Sequence, residues 1–209
     1  MTTLSLFATR VRRASLLDGR DGAGLVAELE AAVRGLAAED RAGRAWCREH
    51  GYGGYTSYAS LDDLPRRMSV FDALRRRLDR EVAAFSEELA FDLGGGRLKL
   101  DSLWVNVLKA GAAHSGHLHP HSVVSGTAYV LTPPGAGALR LEDPRLPMLM
   151  AAPPRRADAP EDARTFVELE PAAGDVILWE SWLRHEVPAN RARSERISVS
   201  FNYAWTGPR

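Results

Sequence analysis

The residues best placed to do chemistry are histidines. Four of the six in the chain fall within eight positions: His114, His117, His119 and His121. They sit in the run Gly111-Ala-Ala-His-Ser-Gly-His-Leu-His-Pro-His, between two apolar segments, which places them in a loop or at a strand edge. In extended chain, positions two apart point the same way, so His117 and His119 can reach one ion together. Imidazole suits divalent iron and zinc among the first-row metals. A metal held by two residues close in sequence usually takes another ligand from far away. His185, in Trp182-Leu183-Arg184-His185-Glu186-Val187-Pro188, is the candidate. A solvated His-rich loop is the bland alternative, but a His-x-His pair plus a distant His favours metal binding. His114 and His121 read as outer-layer or surface residues and His50 as structural. Among carboxylates, Asp143 could complete a site, although its Asp-Pro context suits a structural turn.

Eleven residues after His185 comes Arg196-Ile197-Ser198-Val199-Ser200-Phe201-Asn202. On a strand, Arg196, Ser198 and Ser200 face one side, and Ile197, Val199 and Phe201 the other. A guanidinium fork with a hydroxyl two positions on can grip a carboxylate. The competing reading is a surface ion pair with Glu195 or Glu186.

The elements that must position these groups divide near residue 97. Residues 1–96 read as a helical buttress with an N-terminal strand, and 97–209 as a β core, together one domain. Leu25, Val26, Leu29, Val33 and Leu36 share one helix face, and Phe71, Leu74, Leu78, Val82, Phe85 and Leu89 form a second stripe. Ser69 with Asp72 resembles a capping box, and Gly94-Gly95-Gly96 is the expected stop. Gly51 to Tyr58 reads as a Gly/Tyr-rich loop. Strands are expected at Leu98 to Leu108, Gly126 to Thr132, Ala138 to Glu142, Thr165 to Leu169, Val176 to Trp179 and Arg196 to Tyr203. Many short strands with turn signals indicate a mainly β sandwich or barrel, here with two helices against one face. Pro144 to Pro160 reads as a long loop. With the Tyr55 to Tyr58 loop, it is a candidate to shape an entrance. Trp104, Trp179 and Trp182 read as core or pocket wall, and Arg75-Arg76-Arg77 as a solvated face.

Composition narrows the function. The 209 residues carry 27 basic and 27 acidic side chains, so net charge gives no reason to expect nucleic acid. No apolar run approaches a bilayer span. Cys47, the single cysteine, excludes an internal disulfide and fits a reducing cytoplasm. The aromatic N-terminal half could support a homodimer.

As a set, several segments resemble a bacterial and phage family of 2-oxoglutarate/Fe(II) oxygenases, distant relatives of prolyl hydroxylases. They are Leu6-Phe7-Ala8-Thr9-Arg10-Val11, Gly54-Tyr55-Thr56-Ser57-Tyr58, Trp104-Val105-Asn106-Val107, His117-Leu118-His119-Pro120, Ser125-Gly126-Thr127-Ala128-Tyr129-Val130, Glu142-Asp143-Pro144-Arg145 and the run from Trp179 to Tyr203. The resemblance implies a double-stranded β-helix, a cupin-like jelly roll, with Fe(II), 2-oxoglutarate and dioxygen. It implies that Arg196 and Ser198 bind the far carboxylate of 2-oxoglutarate, with Asn106 and Tyr129 as further donors or as core. It also implies hydroxylation of a C–H bond in a small molecule, amino acid or peptide side chain, with 2-oxoglutarate decarboxylated to succinate. The wider superfamily uses His-x-Asp/Glu with a distant His; here His119 occupies the carboxylate position. Three histidines also suit a zinc hydrolase or hydratase, and a cupin-like binding module without catalysis is the third reading. The Arg196/Ser198 pair favours the first.

Overall fold

The computed structural model describes residues 2–19, 21–145 and 150–207. Among the described residues ten strands form two antiparallel sheets: β1 (Val11–Ser15), β2 (Gly54–Thr56), β3 (Arg97–Leu108), β4 (His114–His117), β5 (Val124–Leu131), β6 (Leu139–Glu142), β7 (Phe166–Leu169), β8 (Asp175–Glu180), β9 (His185–Val187) and β10 (Arg196–Thr206). The larger sheet runs β1-β8-β5-β10-β3-β2, and the smaller runs β4-β9-β6-β7. Helices α1 (Gly22–Glu39), α2 (Arg41–Glu49), α3 (Leu64–Arg67) and α4 (Ser69–Glu88) precede the core. This is the double-stranded β-helix, with helices against one face of the larger sheet.

A period of two divides each central strand between two environments. On β10, Ile197, Val199, Phe201 and Tyr203 join the core that also holds the α1 and α4 stripes. The alternate residues Arg196, Ser198, Ser200 and Asn202 line a cavity instead. On β8, Val176 and Leu178 face the helices, while Ile177 and Trp179 pack with Tyr129, Leu139, Leu141 and Leu183 between the sheets. Gly126 on β5 is forced by close approach: a Cβ there would lie 2.4 Å from the Phe201 ring and 2.7 Å from the Ile177 carbonyl oxygen.

Both expected helical stripes are buried in α1 and α4, and the six expected strands exist with ends shifted by a few residues. Several local expectations need correction. Ser69 is the first helical residue of α4 and not its cap. Met68 occupies the cap position without a side-chain hydrogen bond, and Asp72 pairs with Arg75 and Arg76. The helix ends at Glu88, before the glycines, where Ala90 turns to φ +55°. Gly54 to Thr56 is a strand, because its backbone completes the exposed edge of β3. Helix α2 has no apolar stripe to announce it. The Arg75–Arg77 run is not simply solvated, since the Arg77 guanidinium donates to the Leu16 and Asp18 carbonyls. Of the Pro144 to Pro160 loop, 146–149 lie outside the described residues; the rest holds no helix or strand.

The α2 end of the buttress hangs on Asp40. Its carboxylate caps α2 by accepting from the Gly43 N–H at 2.9 Å, and also accepts from Tyr55 Oη at 2.9 Å and Ser60 Oγ at 2.6 Å. These donors hold the Asp40 carboxyl below its usual range, against the opposing effect of burial. Asp40→Ala removes the cap and two charge-assisted bonds, so urea unfolding should show a loss of about 2–4 kcal/mol at pH 7. A depressed pKa stabilises above the unfolded value of about 3.9 and the effect is lost as pH falls through the folded value. The gap between wild type and variant should therefore close below about pH 4.

Candidate metal centre

The histidine ligands are placed by pairing between β4 and β9. His117 and His185 are directly opposed across that ladder, and their ring centroids lie 4.4 Å apart. An irregularity between His114 and His117 shifts the register of β4 and sets the turn of the strand before the ligands. Gly116 makes room there: a Cβ would meet the Arg184 guanidinium at 2.9 Å, and that guanidinium is held by Glu142 at 2.8 Å. His119 follows two residues beyond His117, with its backbone N–H bonded to the Ser181 carbonyl at 3.0 Å. The His-rich segment is thus half strand and half turn, and His121, at φ +70°, lies outside the cluster.

His117, His119 and His185 bring one ligand nitrogen each within 4.8 Å of one another. His119 Nε2 and His185 Nε2 stand 3.2 Å apart with rings nearly parallel. Two nitrogens bound at about 2.1 Å to one ion at right angles would be separated by about 3 Å. Carbonyl oxygens can only accept, so Nδ1 of His117 must donate to Ser115 O (2.7 Å) and Nδ1 of His185 to Leu183 O (2.9 Å). In the neutral rings this leaves each Nε2 as a lone pair. Burial depresses His185 to about 3 and His119 to about 4, with His117 adding a smaller push in the same direction. Both imidazoles are therefore neutral, and available to a metal, at pH 7. The donor set fits a divalent first-row ion.

Among the described residues no carboxylate joins this group. Asp143 is bound bidentately by Arg145, as its turn context suggested. Arg196 is 2% exposed and lines the same cavity, of about 420 Å³. Neither suggested counter-ion reaches it: Glu195 pairs with Arg34 and Glu186 with Arg140. Among the described residues its one side-chain hydrogen bond goes to Ser198 Oγ, at 3.4 Å, and its Nε has no partner. The Tyr129 hydroxyl, fully buried beside it, also lacks a partner, and burial pushes its pKa up to about 12. Two buried donors facing a cavity without an acceptor fit an anion bound between them.

Asn106, open in the sequence between a donor and a core residue, is largely engaged within the wall. Its Oδ1 accepts from Thr56 Oγ1 at 2.9 Å and lies 3.3 Å from Tyr52 Oη, and its Nδ2 donates to Ser200 Oγ at 3.1 Å. It braces the cavity wall and keeps one N–H free. Tyr52 was not singled out in the sequence, yet its hydroxyl sits 2.6 Å from His114 Nε2. A Gly/Tyr-rich segment signals a turn, and only sheet pairing shows that this tyrosine reaches the cavity. His114 is half-buried, and desolvation, with a smaller push from the Arg196 charge, lowers its pKa to about 4. Trp179 is buried with its edge against His185, Trp104 lines the cavity, and Trp182 is exposed. Tyr58 also lines the cavity; Tyr55 instead turns to Asp40, and the described residues of the Pro-rich loop take no part. His50 stacks on Trp46, as a structural residue would.

Fold and site define a class: a double-stranded β-helix with an imidazole triad and a buried arginine in one cavity. Residues 102–202 match the family described as "Putative 2OG-Fe(II) oxygenase". The match spans 101 of the 209 residues, all within the β core, and that part of the chain is similar to the family. No curated protein matches the chain by sequence. Similar solved structures include a Pseudomonas putida prolyl-4-hydroxylase, 22% identical over 94% of this chain and 88% of that one, with a TM-score of 0.57. The α-ketoglutarate-dependent epimerase SnoN of nogalamycin biosynthesis is 19% identical over 94% and 76%, TM-score 0.62. HygX from Streptomyces hygroscopicus, solved with nickel, 2-oxoglutarate and hygromycin B, is 16% identical over 94% and 83%, TM-score 0.60. At these identities the likenesses speak to the fold.

Calorimetric titration of the metal-free protein with Fe(II) or Ni(II) should give one site per chain. His185→Ala and His119→Ala should each lower its affinity at least about 10-fold, as loss of one of three nitrogen ligands requires. His50→Ala should titrate as wild type. A wild-type affinity in His185→Ala would dissolve the triad.

Proposed function

We propose that the protein hydroxylates an unactivated C–H bond of a small molecule, amino acid or peptide side chain, while 2-oxoglutarate is decarboxylated to succinate. The observation that carries this reading is the buried Arg196 in the cavity of the imidazole triad, with its Nε unpartnered and no carboxylate paired with it among the described residues. His117, His119 and His185 would hold Fe(II). When bound, Fe(II) with 2-oxoglutarate and dioxygen supplies the oxidising chemistry, which is the cofactor's own.

The chain's residues bind, orient and exclude. Arg196 offers a bidentate fork to the distal carboxylate, and Ser198 Oγ and the Tyr129 hydroxyl lie beside it as further donors. Trp179, Leu139 and Val187 close the inner wall and keep water from the cosubstrate. Nδ1 hydrogen bonds to Ser115 and Leu183 orient the His117 and His185 rings so that each turns Nε2 to the metal site. Three imidazoles contribute no negative charge, unlike the two-histidine, one-carboxylate set. The ion and Arg196 then attract an anionic cosubstrate more strongly. The buried, unpaired thiol of Cys47 supports a reducing cytoplasm as the place of action.

Anaerobic addition of Fe(II) and 2-oxoglutarate should produce a visible metal-to-ligand charge-transfer band, which a zinc hydrolase or a binding module would not show. Arg196→Leu should raise the 2-oxoglutarate concentration needed for half the band roughly 10- to 100-fold, the effect of losing a buried charge-assisted contact. Iron affinity should change little. An unaltered cosubstrate titration would remove Arg196 from the site.

A further inference from the structure

The cavity wall is mostly engaged with itself. Thr127 Oγ1 lies 3.3 Å from Ser200 Oγ, and Ser200 accepts from Asn106. Asn202 accepts from Ser125 through Oδ1 and donates to Ser102 through Nδ2. What the outer part of the cavity offers a visitor is aromatic surface. Tyr58 is 64% exposed and sets its ring edge-on to Trp104, with centroids 5.3 Å apart. Trp104 in turn lies 5.8 Å from the His119 ring. Among the described residues lining the cavity none is Asp or Glu, and the inner end is held by Arg196.

Building on the oxygenase reading, we infer that the prime substrate is an uncharged or anionic ring compound, packed against Trp104 and Tyr58 beside His119. Aromatic side chains attract flat rings through area burial and offset or edge contacts. They also attract cations. Here that attraction is opposed, because a divalent ion on three neutral imidazoles plus Arg196 outweighs a doubly anionic cosubstrate by one positive charge, and no carboxylate of the cavity offsets it. An open-chain substrate would leave the aromatic faces less covered than a ring of similar size.

The test uses four probes of matched size on the anaerobic Fe(II)/2-oxoglutarate protein: benzamide, benzoate, benzylammonium and hexanamide. Ligand-detected saturation-transfer NMR gives their relative affinities. Benzamide and benzoate should bind, with benzylammonium and hexanamide at least about threefold weaker. Tyr58→Ala, on an exposed side chain, and Trp104→Leu should each weaken benzamide about 2- to 10-fold. If Trp104→Leu fails to fold, the Tyr58 variant decides alone. Equal or tighter binding of benzylammonium, parity of hexanamide with benzamide, no binding of either ring probe, or a folded Tyr58→Ala with wild-type affinity would each overturn the inference. The charge-transfer band recorded on the same sample separates the two readings. A band without ring selectivity removes only this inference, and ring selectivity without a band keeps the aromatic platform while removing the oxygenase reading.

Discussion

A guanidinium keeps its charge at any pH a cell meets, and Arg196 keeps it inside the sheet, 2% exposed and paired with no carboxylate among the described residues. Burying such a charge costs several kcal/mol unless a partner neutralises it. The molecule tolerates the cost because the surrounding strands are over-determined. β10 is paired on both sides, by β3 and β5, and on its other face Ile197, Val199, Phe201 and Tyr203 join the core that holds the α1 and α4 stripes. The helices therefore do more than cover the sheet: their burial holds a strand that presents an uncompensated cation. The same cation gives the cavity its direction, from a charged inner end to an aromatic mouth.

The histidine triad rests on a different device. β4 and β9 are short, and neither belongs to the larger sheet. Their rings are held by backbone carbonyls accepting at Nδ1 and by an outer ion pair, Arg184 with Glu142, which lies across Gly116. Rigid framework and site thus meet where the two sheets face each other. One sheet contributes the anion grip, the other the imidazoles, and Trp179 touches both, buried between the sheets with its edge on His185. A hydroxyl-and-amide lattice from Thr56 and Tyr52 through Asn106 to Ser200 stiffens the wall between them.

Much of this was legible because its signals are periodic or local. The α1 and α4 stripes repeat at helical spacing, and burial alone explains them. The alternation on β10 assigned Arg196, Ser198 and Ser200 to one face and Ile197, Val199 and Phe201 to the other, as found. The features missed are those that depend on a distant partner. β2 is a strand only because β3 has an edge to fill, and α2 depends on Asp40, whose carboxylate is held by Tyr55 and Ser60 from a later segment. Asn106 could be read as a donor or as core, and nothing in sequence shows that Thr56 and Ser200 reach it.

The sequence by itself determined which residue types were available, three ligand imidazoles and an arginine with a hydroxyl two positions on, and which face of each strand they would occupy. Period-two geometry is a property of the chain, so it can be read from the chain. Only the tertiary structure decided that His117 stands opposite His185, and that among the described residues no carboxylate completes the triad and none pairs with Arg196. Those are questions of register and of which side chains arrive in one volume. Cross-sheet packing settles them, and no local pattern encodes it.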